Sequence, residues 1–386
     1  MDVGPPHADD YPDHDGGAAM NRDRANGRAG APRFRTEPGF TLIELMVSVG
    51  IFAAVSLAAF SVLSSSQRTA VMNDQTVGLQ RNIRLAMDLV ARDLRMTGYG
   101  NPTAGALAGC TNHLNPTNSS SGSDSISMMT IDQPVGTLAS TYASGNLITV
   151  TGLSSDVATD LAAGKTVLIT LEGIFTSTVT AANNGTGVLT LGTAIKSPQT
   201  IPSGAQVIRL SCVTYTVSGA NGVVPGSSPS VTFTPYQLLR NTTSSANNAV
   251  PIVDGIESLQ LAYAVDEDKD GKIDDKNASG AVDCGDFLPN NMASPATNSA
   301  CNVTGGVSTI PTSVNATPTS VRQVRVTVVG RAIPPAAANT ANNTWNDSAF
   351  KSSSAVAAED LSIASTVGIR RRALSRIVSL RDAYTQ

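Results

Sequence analysis

Residues 40–63 form a run of 24 in which Glu44 carries the only charge. About 20 apolar residues suffice to cross the hydrocarbon core of a bilayer, so this run predicts one membrane-spanning helix. A carboxylate inside such a helix costs roughly 3 kcal/mol. Glu44, one turn in, therefore either snorkels to the interface as a tolerated polar residue or has a partner. The helical pattern continues past Leu63: Leu79, Ile83, Met87, Val90 and Leu94 recur at spacings of three and four, with Arg81, Arg84, Asp88, Arg92, Asp93 and Arg95 on the other faces. A breaker appears only at TGYGNP, residues 97–102. A helix over 40–96 would be ~85 Å long, well beyond a bilayer, so its second half must lie against something outside the membrane.

Beyond the breaker the chain is β-patterned. DSISMMTI (124–131), NLITVTGL (146–153), KTVLITLEG (165–173), GVLTLG (187–192) and AQVIRLSCVTYTV (205–217) are short Val/Ile/Leu/Thr runs separated by Gly, Ser, Asn and Pro. Leu259, Leu261, Tyr263 and Val265 alternate with Ser258, Gln260, Ala262 and Ala264, and Val324, Val326 and Val328 with Gln323, Arg325 and Thr327. Such alternation predicts antiparallel strands with one buried and one wet face. The stripe on 79–94 is the natural cover for the buried face. The expected fold class is α+β: a long N-terminal membrane-spanning helix packed on an antiparallel β-sheet domain, with a small inserted β-module. The expected division is a leader at 1–39, the helix at 40–96 with its span at 40–63, a loop and first strand at 97–135, the β-module at 136–210, and the main sheet at 211–386. Ser/Thr/Asn-rich stretches at 116–125, 241–249, 287–320 and 333–357 read as loops.

Charge is arranged for export. Residues 1–19 hold five aspartates and no base, whereas residues 20–39 hold five arginines against Asp23 and Glu37. Positive charge before an apolar span stays on the cytoplasmic side, which points to translation from Met20 and a short basic leader that ends at Gly39; the alternative is a genuine acidic extension before it. The rest of the chain is near neutral, and a nucleic-acid partner is not expected. Four cysteines, Cys110, Cys212, Cys284 and Cys301, with no CxxC pair, predict two disulfides in an oxidising compartment. Of three pairings, proximity in sequence favours Cys110 with Cys212 and Cys284 with Cys301.

The stretch GFTLIELMVSVGIF (39–52) resembles the type IV prepilin signature. ARDLRMTGYG (91–100), GIESLQLAYAVDEDKDGKIDD (255–275), RQVRVTVVGRA and RRRALSRIVSL together resemble PilW-type minor pilins. The resemblance implies that prepilin peptidase cuts after Gly39, that the new amine of Phe40 is methylated, and that Glu44 neutralises the α-amino group of a neighbouring subunit during assembly. Burying the two charges together costs far less than burying either alone. Ser61 takes the place of the proline at which many pilins kink this helix, which leaves the curvature open.

DEDKDGKIDD (266–275) has the spacing of a calcium loop. Asp266, Asp268 and Asp270 stand at positions 1, 3 and 5 and Gly271 at 6; Lys272 would offer its carbonyl, and Asp274 or Asp275 would complete the shell. Asn277 stands at position 12 instead of a bidentate Glu, and a strand leads in instead of a helix. The expectation is a structural Ca2+ site of modest affinity in a loop over 266–277; the alternative is a solvated acidic turn.

After Gly39 the single histidine is His113, and GxSxG and GxxxxGKS motifs are absent, so an enzyme is not expected. Arg370, Arg371, Arg372, Arg376 and Arg381, interleaved with Leu374, Ile377, Val378 and Leu380, read as a strand with Arg on its wet face or as an interface. The resemblance implies a non-catalytic minor pilin at a pilus tip or in a priming complex, held in the bacterial inner membrane with its C-terminal domain periplasmic, then carried to the cell surface. Implied partners are other minor and major pilins, prepilin peptidase, the inner-membrane assembly platform and a tip adhesin. The alternatives are a minor pseudopilin of a type II secretion system, and a pilus-borne adhesin or DNA-binding module.

Overall fold

The computed structural model describes residues 39–97, 110, 112–119, 122–161, 166–170, 175–196, 200–225, 227–242, 246–275, 280–283, 286–289, 320–332, 356–358, 361–363 and 371–380. Cys284, Cys301, Asn277, Arg370, Arg381 and the leader before Gly39 lie outside them. The chain divides into two units between Ser65 and Ser66. One helix, α1 (Leu42–Met96), runs through that boundary.

In the first unit, every large apolar side chain from Phe40 to Leu63 is exposed, from 55% to 90%. Exposed apolar helix surface of this length requires a non-aqueous surrounding.

In the second unit α1 becomes amphipathic and buries the stripe Leu79, Ile83, Met87, Val90 and Leu94. The strands after it are β1 (Leu114–Thr117), β2 (Ser125–Leu138), β3 (Gly145–Thr151), β4 (Thr166–Thr170), β5 (Phe175–Asn183), β6 (Val188–Ile195), β7 (Gln206–Val217), β8 (Gln237–Asn241), β9 (Val250–Asp254), β10 (Ile256–Val265), β11 (Leu288–Pro289), β12 (Val321–Arg331), β13 (Val356–Ala358), β14 (Leu361–Ile363) and β15 (Arg371–Ser379), with a short helix α2 (Ser155–Leu161) after β3. All pair antiparallel.

Strands β2, β3, β6, β5, β4 and β7 pair in that order, and β7 pairs back onto β2, closing a six-stranded ring. Its interior is a core of its own, filled by Val135, Leu138, Ile148, Val150, Val179, Leu189, Leu191 and Val207, with Leu161 of α2 added. Closure leaves none of these strands as a bare edge. The long strands β2 and β7 serve both cores: Ile126 and Met128 of β2 and Val213, Tyr215 and Val217 of β7 face the stripe of α1, while Val135 and Val207 face the ring interior.

The main core joins that stripe to Leu259, Leu261, Tyr263 and Val265 of β10 and Val324, Val326 and Val328 of β12, in the sheet β11-β10-β12-β15. The register sets Leu259 opposite Val328, Leu261 opposite Val326 and Tyr263 opposite Val324, so one face is continuously apolar. The other face is not wet, contrary to the expectation from alternation: Ser258, Gln260, Ala262, Ala264, Arg325 and Thr327 are all buried. The segment before β2 lies over part of it. Gln260 Nε2 donates to Gly122 O at 2.7 Å, Leu259 N to Ser123 Oγ at 2.9 Å and Leu261 N to Asp124 Oδ2 at 2.8 Å. The Arg325 guanidinium stacks 4.8 Å from the Phe287 ring centroid, and Phe287 packs with Ala262 and Ala264. Polar side chains can be buried there because backbone groups and an aromatic ring replace water.

Gly330 on β12 lies directly under the helix. A Cβ there would lie 2.6 Å from Ile83 Cγ1 and 2.7 Å from Leu79 Cδ1. Gly330→Val should lower stability by about 1–3 kcal/mol through overpacking, checked by chemical denaturation of the full chain; unchanged stability would show that the helix seat is not close-packed.

Candidate functional site

Thr41 is the N-cap of α1 and Glu44 the third residue inside it. Glu44 Oε2 accepts the Thr41 amide at 3.0 Å and the Thr41 hydroxyl at 3.1 Å, while Thr41 Oγ1 accepts the Glu44 amide at 3.3 Å. This reciprocal T-x-x-E pattern is a capping box, which satisfies helix donors that otherwise need water. The spacing is present in the sequence, but a carboxylate within a membrane span is read first as a charge, and its capping geometry goes unnoticed. Glu44, Phe40 and Gly39 are brought together simply by chain continuity, at the exposed start of the apolar helix.

Asp93, placed by the sequence on a polar helix face, is 4% exposed and points into the sheet. Its Oδ2 accepts the Tyr215 hydroxyl at 2.8 Å and Arg240 Nε at 3.1 Å, and its Oδ1 accepts Arg92 Nε at 3.2 Å. Asn82 Nδ2 adds a bond to Asp254 O at 3.0 Å. These polar ties fix the rotation of α1 on β7, β8 and β9, which an apolar stripe alone leaves loosely defined. The sequence signal for this role is the position of Asp93 beside Leu94, at the border of the stripe.

The acidic segment forms a tight loop directly after β10, close to the residue that precedes β12. Carboxylate oxygens of Asp266, Asp268 and Asp274 lie within 4.8 Å of one another. The loop is held by amide donors: Asp270 N to Asp268 Oδ1 at 3.1 Å, Gly271 N to Asp266 Oδ2 at 3.2 Å and Glu267 N to Asp274 Oδ2 at 3.1 Å. Gly271 has φ 85°, the left-handed conformation its position demands. Asp266 N donates to Ser320 O at 2.8 Å and Asp274 N to Val265 O at 2.9 Å, tying both ends of the loop to the sheet. Asp270 and Asp275 stand outside the converging trio: Asp270 Oδ1 accepts Lys272 N at 2.7 Å, and Asp275 Oδ2 accepts Gly280 N at 2.6 Å.

Burial pushes the Asp266 carboxyl up, but the Arg322 guanidinium, at 2.6 and 2.9 Å from Oδ2, outweighs it together with the amides of Gly271 and Lys269, and the net direction is downward. Asp266 Oδ1 is buried and without a hydrogen-bond partner.

The basic segment forms a strand as the sequence suggests, but its arginines do not share one wet face. The arginines of β15 divide between its faces: Arg371 is a bidentate partner of Glu257 at 2.5 and 2.8 Å, whereas Arg376 reaches Asp88 on α1 at 3.1 Å. Leu374 and Ile377 are exposed, and Val378 enters the main core. Cys110 and Cys212 form a disulfide with Cα atoms 5.7 Å apart, packed with Met129 and Leu210.

A long apolar N-terminal helix that becomes the cover of an antiparallel sheet, with one carboxylate at its tip, defines a membrane-anchored pilin-like subunit. The comparisons agree with that class: residues 35–60 match the prokaryotic N-terminal methylation motif, and residues 214–382 match the family Type IV Pilus-assembly protein W. The two matches support a type IV pilin-like protein of the PilW type, a minor pilin associated with type IV pili. No curated protein and no solved structure is significantly similar to it.

Burial raises the Tyr215 hydroxyl above its ordinary value of 10.0, with Asp93 adding to the shift. The stability this group contributes is complete below pH 10.0 and is lost as pH rises past it. Asp93→Ala should cost about 3 kcal/mol, the low end for a buried pair because Arg240 retains solvent contact, and should flatten the alkaline loss. Unfolding curves from neutral to alkaline pH check both; an unaltered alkaline limb would remove Asp93 from the network.

Proposed function

We propose that the chain is a non-catalytic structural subunit that primes or tips a type IV pilus after prepilin peptidase cuts between Gly39 and Phe40. The observation that carries this reading is an exposed apolar helix whose single charge, Glu44, is held at its N-terminus by a capping box. Prepilin peptidase removes the leader and methylates the Phe40 amine; the span stays in the inner membrane with the β domain periplasmic until the subunit is extracted.

Glu44 then neutralises the α-amino group of a neighbouring subunit. The capping box fits this role because it holds the carboxylate beside the helix start at modest strength. An N-cap contributes ~1 kcal/mol, less than the ~3 kcal/mol or more at stake in a buried ion pair, so a neighbouring amine can take the cap's place. The expected partners are other minor pilins and the major pilin, the assembly platform and a tip adhesin. A tip or priming position suits the size of the second unit, since a ring core added to the main sheet would crowd a repeating shaft.

Glu44→Ala should leave cleavage after Gly39 intact and abolish recovery of the subunit in sheared filaments. Mass analysis of the membrane fraction and immunoblotting of the sheared fraction check the two halves; undiminished filament recovery would overturn the neutralisation role.

A further inference from the structure

Three carboxylates drawn within 4.8 Å of one another repel, and the loop that holds them there spends its amide donors on them one by one. A fourth charge, Arg322, meets Asp266 through Oδ2. That leaves Asp266 Oδ1 sealed from solvent without any donor, on a side chain that is itself fully buried. A buried carboxylate oxygen with no partner is costly, whereas a bound cation beside it satisfies it and quiets the repulsion among the trio.

We infer that Asp266, Asp268 and Asp274 hold a divalent cation, and that this cation braces the junction of β10 with β12. All three side chains offer hard oxygen, which suits calcium or magnesium over zinc or copper. The irregular loop, with donors drawn from the end of a strand and from a turn, favours calcium, which accepts flexible coordination, over magnesium, which demands a near-ideal octahedron. The bracing runs through Asp266, whose carboxylate is shared between the ion and Arg322 while its amide binds Ser320 O at the start of β12. Arg322 O in turn accepts the Leu380 amide at the end of β15. Cation, Asp266, Arg322 and the last strand thus form one chain of contacts, all outside the prepilin motif, and the inference stands or falls independently of the assembly role.

The test uses the full mature chain in detergent micelles, freed of metal by chelation and titrated calorimetrically with calcium chloride. Binding with Kd of about 10⁻⁴ to 10⁻³ M, the range of extracellular calcium modules, is expected. Asp268→Asn keeps an acceptor for the Asp270 amide but removes a charge, so it should fold and bind at least about tenfold more weakly, the ratio that 1.4 kcal/mol represents. Millimolar calcium should raise the thermal unfolding midpoint of the native chain by a few degrees, and that of the variant by clearly less. Magnesium at the same concentration should raise it less than calcium does. Absence of binding heat and of any midpoint shift in the native chain would overturn the inference, as would equal affinities for native and Asp268→Asn chains.

Discussion

The seat of the helix on the sheet is the contact on which the second unit depends. Leu79, Ile83, Met87, Val90 and Leu94 form the apolar cover that both β10–β12 and the inner halves of β2 and β7 share. At roughly 1.5–3 kcal/mol per fully buried large side chain, their burial outweighs any single polar tie in the domain. The bare Cα of Gly330 permits the closeness, and Asp93, bound to Tyr215 and Arg240, selects one rotation among those the stripe would tolerate. Hydrophobic area holds the helix down, and the buried carboxylate decides how it sits.

One helix therefore meets two solvents. Up to Leu63 its apolar surface is complete around the cylinder and suits lipid or other helices of the same kind; from Leu79 onward it narrows to a stripe and suits a sheet. The change of pattern within a single element suits a helix that is membrane-anchored at one end and packed on a β domain at the other. The capping box at Thr41 and Glu44 closes the other end, so the first turn carries its own hydrogen-bond partners.

Much of this architecture is legible in the sequence because its periods are local. The 3.6-residue stripe and the two-residue alternation of β10 and β12 are properties of short windows, and both are readable from side-chain chemistry alone. The closed ring is not: its decisive pairing, β7 back onto β2, joins residues some 80 apart, and nothing in either strand announces that register. The buried second face of β10 and β12 escapes for a related reason, since Gly122, Ser123 and Phe287 cover it from distant positions in the chain. Asp93 reads as a surface residue because charge normally marks the wet side of a helix, and a carboxylate satisfied by a tyrosine and an arginine 122 and 147 residues away breaks that rule. In the acidic loop the carboxylates that converge are Asp266, Asp268 and Asp274, three of those the spacing names, while Asp270 and Asp275 turn to amides of the loop.

The central claim, a subunit built to enter a filament through a processed N-terminus, is tested most directly by intact mass of the protein isolated from its native membranes in the presence and absence of prepilin peptidase. The account predicts a chain that begins at methylated Phe40 when the peptidase is present and retains residues up to Gly39 when it is absent. An identical unprocessed N-terminus in both would contradict it, leaving a membrane-anchored β protein whose Glu44 serves only to cap its own helix.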